Sequence, residues 1–198
     1  MESDANVGLS DFRALVDSAF ETLLTITTIL SGVYVAVSFD WFASALSEPH
    51  PGEPMSPQMV TQAITGVFLG LIFILPLVIV VLAWALSKLW GSSYWRTAAW
   101  SGLLYCLAQD FVGVLALLAF PLIAENIFVG PLLLSAVVFV IIIPTTLGIT
   151  LGYRVTVRYD RDLLQLGARK RSYALTAMTT VIAILTIQAI LGLFILSL

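Results

Sequence analysis

The sequence predicts an all-α polytopic membrane protein, a bundle of five transmembrane helices with its N-terminus inside and its C-terminus outside. Three observations carry this expectation. The 198 residues are 60% hydrophobic and only 11% charged, so the chain is too apolar for an ordinary globular domain and suits lipid as its solvent. Five segments, about 19–39, 60–86, 97–120, 129–153 and 173–196, each reach the roughly 20 apolar residues that cross about 30 Å of hydrocarbon. All nine Lys and Arg residues then fall on one side: Arg13 before the first span, Lys88 and Arg96 between the second and third, and Arg154, Arg158, Arg161, Arg169, Lys170 and Arg171 between the fourth and fifth. Cytoplasmic loops retain excess Lys and Arg, which sets the orientation. Little chain is left over. Residues 1–18 read as a cytoplasmic amphipathic lead-in and 19–198 as a single transmembrane domain.

In the lead-in, Leu9, Phe12, Val16, Ala19, Phe20 and Leu23 recur at three- and four-residue steps, with Asp11, Arg13, Asp17 and Ser18 on the other face. Such a segment is expected to lie at the cytoplasmic interface. Ser18 and Glu21 have capping-box spacing, but the periodicity runs through both, which favours one continuous helix. Residues 22–38 followed by Ala43-Ser44-Ala45 superficially resemble a secretory signal. The acidic Glu2, Asp4, Asp11 and Asp17 around Arg13, and an apolar run longer than the usual 7–15 residues, instead predict an uncleaved anchor.

The connection SFDWFASALSEPHPGEPMSPQ is expected to be an irregular outer loop, because Pro49, Pro51, Pro54 and Pro57 remove backbone donors. Trp41 and Phe42 would hold its start at the interface, and His50, the only histidine, would be a solvated loop residue. Trp84, Trp90, Trp95 and Trp100 surround Lys88 and Arg96 at the next, inner turn, where indoles and cations share a preference for the membrane boundary. Pro121 and Pro131 are expected to mark the helix ends flanking the short outer connection PLIAENIFVGP. The stripe Val155, Tyr159, Leu163 and Leu166 predicts that the fourth helix continues inward and stops near Gly167. The Arg169-Lys170-Arg171 cluster follows, a candidate contact for anionic lipid of the inner leaflet as well as a topogenic signal.

Helices in lipid gain little from hydrophobic burial against each other, so small residues and interhelical hydrogen bonds must hold the bundle. Gly66 with Gly70, Gly148 with Gly152, Gly32 with Ala36, and the series Ala98, Gly102, Cys106, Gln109, Gly113 supply close-packing faces. These favour internal packing over homodimerisation, although a homo-oligomer or a membrane protein partner is also compatible with them. The single cysteine, Cys106, reads as a small packing residue. Hydroxyls recur at Ser18, Thr22, Thr25 and Thr28 and at Ser172, Thr176, Thr179 and Thr186, stripes expected to pack unless both converge on a charged group.

That group is Asp110. About thirteen residues into its span, or about 20 Å at 1.5 Å per residue, it lies near the midplane. An Asp there costs about 2.5–3.5 kcal/mol on insertion scales, so it must face inward. No cation occurs within a span to pair with it. It is expected to carry a proton and to bond a Thr, a Gln such as Gln188, or a carbonyl. Pro76 and Pro144 each cancel one helical hydrogen bond near the middle of a span and so release a carbonyl. Asp110, Gln109, Gln188, Pro76 and Pro144 thus form the candidate intramembrane polar site.

The chain has no histidine in a span, no Gly-rich phosphate loop, no HExxH and no paired carboxylates at one depth. The expected function is therefore non-enzymatic, with no cofactor, metal or nucleic acid: a partner subunit or membrane-organising component of a prokaryotic cytoplasmic membrane. The alternative is a small proton- or cation-linked transporter or channel component using Asp110. Twelve acidic residues against nine basic ones, with Arg preferred to Lys, would also suit a haloarchaeal cytoplasm.

Overall fold

The computed structural model describes residues 2–47, 56–124, 129–160 and 167–197, and all their regular structure is helical. In chain order the elements are α1 (Glu2–Ser47), α2 (Pro57–Trp90), α3 (Ser93–Ala124), α4 (Val129–Tyr159) and α5 (Gly167–Leu196). Among the described residues, four helices contain stretches long and apolar enough to cross a membrane: Asp11–Val37, Pro57–Trp90, Ser93–Leu115 and Lys170–Ile195. The surface is apolar, with Ile29, Leu82, Phe111, Ile142 and Leu193 all exposed, while Thr27, Ser31, Asp110, Thr156 and Asp160 are buried. This inversion of a water-soluble core fits a protein whose outer solvent is hydrocarbon.

Helix boundaries differ from the sequence expectation at both ends of the bundle. α1 is unbroken from the lead-in to Ser47, so residues 38–47, placed in the outer loop by sequence, are helical. Pro57 opens α2 rather than belonging to the loop: its missing N–H falls where a helix has no partner for it, and Ser56 caps the turn by accepting from the Met59 N–H at 3.3 Å. α2 ends on Gly91, whose φ of 61° is the left-handed conformation that glycine adopts without penalty. α3 runs through Pro121 to Ala124, and α4 opens at Val129, before Pro131. α4 stops at Tyr159, and Gly167 begins α5 instead of ending α4. Leu163 and Leu166, as well as His50, lie outside the described residues, as do the side chains of Trp41 and Phe42.

The lead-in packs on the bundle. Phe20 is fully buried, stacked on Trp84 at 3.9 Å and edge-on to Trp100 at 5.1 Å. Val16 joins the same core, flanked by Phe12, Ala19 and Leu23. Trp100 is a core residue at 3% exposure. Asp17 pairs with Lys88 at 2.6 Å, so the polar side of the lead-in also ties α1 to α2.

α3 is the central helix, in contact with all four others. Its approach to α4 is closest at Gly148 and Gly152, where an added Cβ would stand 2.9 Å from the Ser101 carbonyl oxygen and 2.6 Å from the Ser101 Cα, respectively. The α3 face itself admits neighbours at Gly102, against Val80 of α2 and Ile184 of α5. Gly32, by contrast, has open space around it. Gly66 and Gly70 line a shallow apolar groove beside Val35 and Phe39 of α1.

Candidate functional site

Gln109 and Asp110 are consecutive on α3 and therefore point about 100° apart, toward different neighbours. Asp110 turns to α1 and is 1% exposed. The Ser31 hydroxyl donates to its Oδ2 at 2.8 Å, and the Tyr34 hydroxyl donates to its backbone carbonyl at 3.0 Å. Tyr34 is held in place by stacking on Phe73 of α2 at 4.3 Å. Gly113, one turn beyond Asp110, makes room: a Cβ there would sit 3.2 Å from the Tyr34 Cζ.

Gln109 turns the other way and joins α2, α3 and α5. Gln188 of α5 donates from Nε2 to Gln109 Oε1 at 2.9 Å and to the Ile72 carbonyl at 3.0 Å, while its Oε1 accepts from the Tyr105 hydroxyl at 2.7 Å. The Ile72 carbonyl is the one that Pro76 releases, since proline has no N–H to return to the residue four before it. A side chain of α5 thus satisfies the defect in α2. Such substitution by a neighbouring helix is how a proline is tolerated in a membrane span.

Of the five candidate polar residues, the structure gathers Gln109, Gln188 and the Pro76 turn into one hydrogen-bonded cluster. Asp110 sits beside that cluster but bonds to Ser31, not to Gln188 or a threonine. Pro144 stands apart, buried in α4 one turn before Gly148; among the described residues no hydrogen bond links its turn to the others. The hydroxyl stripes do not converge on Asp110. Thr22, Thr25, Thr28, Thr179 and Thr186 are all exposed, and each returns its hydroxyl to the carbonyl four residues earlier in its own helix.

Sequence reasoning missed Ser31, Tyr34 and Tyr105. The signal for the first two was present, because Val16, Phe20, Leu23, Thr27, Ser31 and Tyr34 continue the lead-in's apolar stripe at three- and four-residue steps. Also missed was Asp160, 1% exposed at the α4 end, which pairs with Arg96 at 3.4 Å. The adjacent Tyr159 has the Arg96 guanidinium 3.9 Å and the Arg13 guanidinium 5.5 Å from its ring. The start of α1, the α2–α3 turn and the end of α4 meet in this cation-rich cluster.

Lys170 and Arg171 are exposed on the first turns of α5, and the Arg169 side chain lies outside the described residues. Cations at a helix N-terminus oppose the helix dipole, so their placement is not explained by helix stability. Among the described residues no group of three or more His, Cys, Asp or Glu could hold a metal ion. Comparison of the chain with protein families, curated proteins and solved structures finds no match.

Proposed function

We propose that the chain is a five-span, non-enzymatic component of a cytoplasmic membrane, a partner subunit or membrane-organising protein, in which Asp110 fastens helices together. The enclosure of Asp110 carries this reading. Its carboxyl is buried against a serine of α1, and the groove beside that contact, lined by Leu30, Val33, Tyr34, Val37, Leu69, Phe73 and Val114, is almost wholly apolar. An ion carrier needs a polar route to its carboxyl; a fastening needs only the partner helix.

The fifth span in this reading is α4, in which residues 129–153 include no charged side chain. The gathering of Arg13, Lys88, Arg96 and Arg158 at one end of the bundle supports an N-terminus inside. In a background lacking Cys106, single cysteines replacing Ser47 and Ser197 should react with an impermeant thiol reagent from outside the cell, and those replacing Ser92 and Ser172 should not. Labelling at position 92 from outside would invert or dismantle this topology.

Asp110 variants separate fastening from transport. Asp110→Asn retains an acceptor for Ser31, and its thermal unfolding should match the parent within about 0.5 kcal/mol. Asp110→Leu removes the α1–α3 hydrogen bond and should cost about 1–2 kcal/mol, the range measured for such bonds in model membrane peptides. If the parent protein in proteoliposomes carries a proton or cation flux that Asp110→Asn abolishes without changing stability, Asp110 is an ion carrier and the fastening role falls.

A further inference from the structure

We infer that the groove between α1, α3 and α4 at their basic end is a binding site for one anionic phospholipid, its phosphate held by Arg154 and Arg158 and one acyl chain lying along the groove floor. This inference rests on the membrane placement proposed above. α1 and α4 both pack on α3 but barely meet each other, which leaves a groove of about 460 Å³. Its floor is aliphatic, with Leu15 and Leu23 from α1, Leu104 from α3 and Leu151 from α4. Leu15 and Leu23 belong to Asp11–Val37, a stretch long and apolar enough to cross a membrane.

The rim has the opposite character. Arg154 and Arg158 stand four residues apart on α4 and so share a face. Both are exposed, and among the described residues neither has an ion-pair partner, whereas Lys88 and Arg96 are committed to Asp17 and Asp160. The Arg158 guanidinium lies 5.1 Å from the Phe12 ring, which bridges α4 to α1. Two such guanidiniums on one face suit a phosphodiester.

Trp100 lines the groove, its ring fixed edge-on against Phe20, and its indole N–H is buried without a hydrogen-bond partner. A soluble anion would use the arginines and leave the aliphatic floor uncovered. The lipid contact therefore belongs to Arg154 and Arg158, while Lys170 and Arg171, which line no described cavity, are outside it.

The test is native mass spectrometry of the delipidated full chain in mild detergent, titrated with dioleoyl phosphatidylglycerol or with dioleoyl phosphatidylcholine, which share their acyl chains. The expected result is a single phosphatidylglycerol adduct formed in clear preference to phosphatidylcholine. Arg154→Gln with Arg158→Gln should weaken phosphatidylglycerol binding by roughly thirtyfold, and Lys170→Gln with Arg171→Gln by less than about threefold. Leu151→Trp, which fills the floor, should weaken both lipids. Equal affinity for the two lipids by the parent protein overturns the proposal and needs no variant. So does full retention of phosphatidylglycerol by the Arg154 and Arg158 pair of substitutions, its loss on changing Lys170 and Arg171, or its displacement by glycerol 3-phosphate alone, which would leave a soluble-anion site. None of these readouts depends on Asp110, so their failure leaves the fastening role to its own test.

Discussion

Gly152→Ala is expected to lower the thermal midpoint of the purified protein by on the order of 10 °C, while Gly32→Ala should leave it unchanged or slightly higher. Both changes add one methyl group to a glycine inside a long helix, and both gain up to about 1 kcal/mol of helix propensity. Their surroundings decide the outcome. At Gly152 the methyl would stand 2.6 Å from the Ser101 Cα and 2.8 Å from its N, and it would also meet the Ser101 hydroxyl oxygen. Backbone atoms of a packed helix do not swing aside as a side-chain tip does, so α3 and α4 would have to separate. At Gly32 no atom lies within 4 Å. Overpacking typically costs about 1–3 kcal/mol or more, and at this interface van der Waals contact, not hydrophobic burial, supplies most of the attraction. Gly148→Ala, at 2.9 Å from the Ser101 carbonyl, should be intermediate. Equal midpoints for the Gly152 and Gly32 variants would mean that α3 and α4 do not pack through this glycine face.

The contrast between these two glycines also shows how far sequence could reach. Gly32 with Ala36 and Gly148 with Gly152 have the same spacing, and nothing local distinguishes the pair that meets another backbone from the pair that faces out. The spacing is a property of one helix; the contact belongs to two. The same limit applied to the hydroxyl stripes. Thr22, Thr25 and Thr28 were as regular as Thr27, Ser31 and Tyr34, yet only the second set is on the inner face, because it continues the stripe of Val16 and Phe20 and the first does not. Apolar periodicity loses its meaning where the surroundings are as apolar as the core, and only over residues 12–23, where charged residues alternate with apolar ones, did it still separate inside from outside.

What was legible were the costs that lipid imposes on single groups. The helical class followed from the need to satisfy every backbone group internally, and the burial of Asp110 followed from the penalty of a carboxyl in hydrocarbon. The partner did not follow, since serine, threonine, glutamine and carbonyl all satisfy that requirement. Helix ends were misjudged where proline was treated as a stop: α3 runs through Pro121 to Ala124, and Pro57, placed in the loop, opens α2, where the N–H it lacks would have no partner.

Gln188→Leu is expected to destabilise the bundle by about 2–4 kcal/mol, a larger loss than for Asp110→Leu, because one side chain serves three partners. The substitution keeps the bulk of the residue but strands the Tyr105 hydroxyl, the Gln109 carbonyl oxygen and the Ile72 carbonyl, which lie 2.7, 2.9 and 3.0 Å from Gln188 atoms. Tyr105 is 2% exposed, so solvent is a poor substitute for the lost acceptor. The Ile72 bond can be isolated by a second change. Pro76→Ala restores the N–H that an α-helix directs to the Ile72 carbonyl, so in the Gln188→Leu background it should recover about 1 kcal/mol more than it contributes beside an intact Gln188. That non-additivity, measured as a double-mutant cycle of unfolding free energies in detergent, is the signature of a side chain repairing a proline break across helices. Strictly additive effects of the two changes would show that Gln188 and the Pro76 turn are not partners, and would leave the α2–α5 contact to side-chain packing alone.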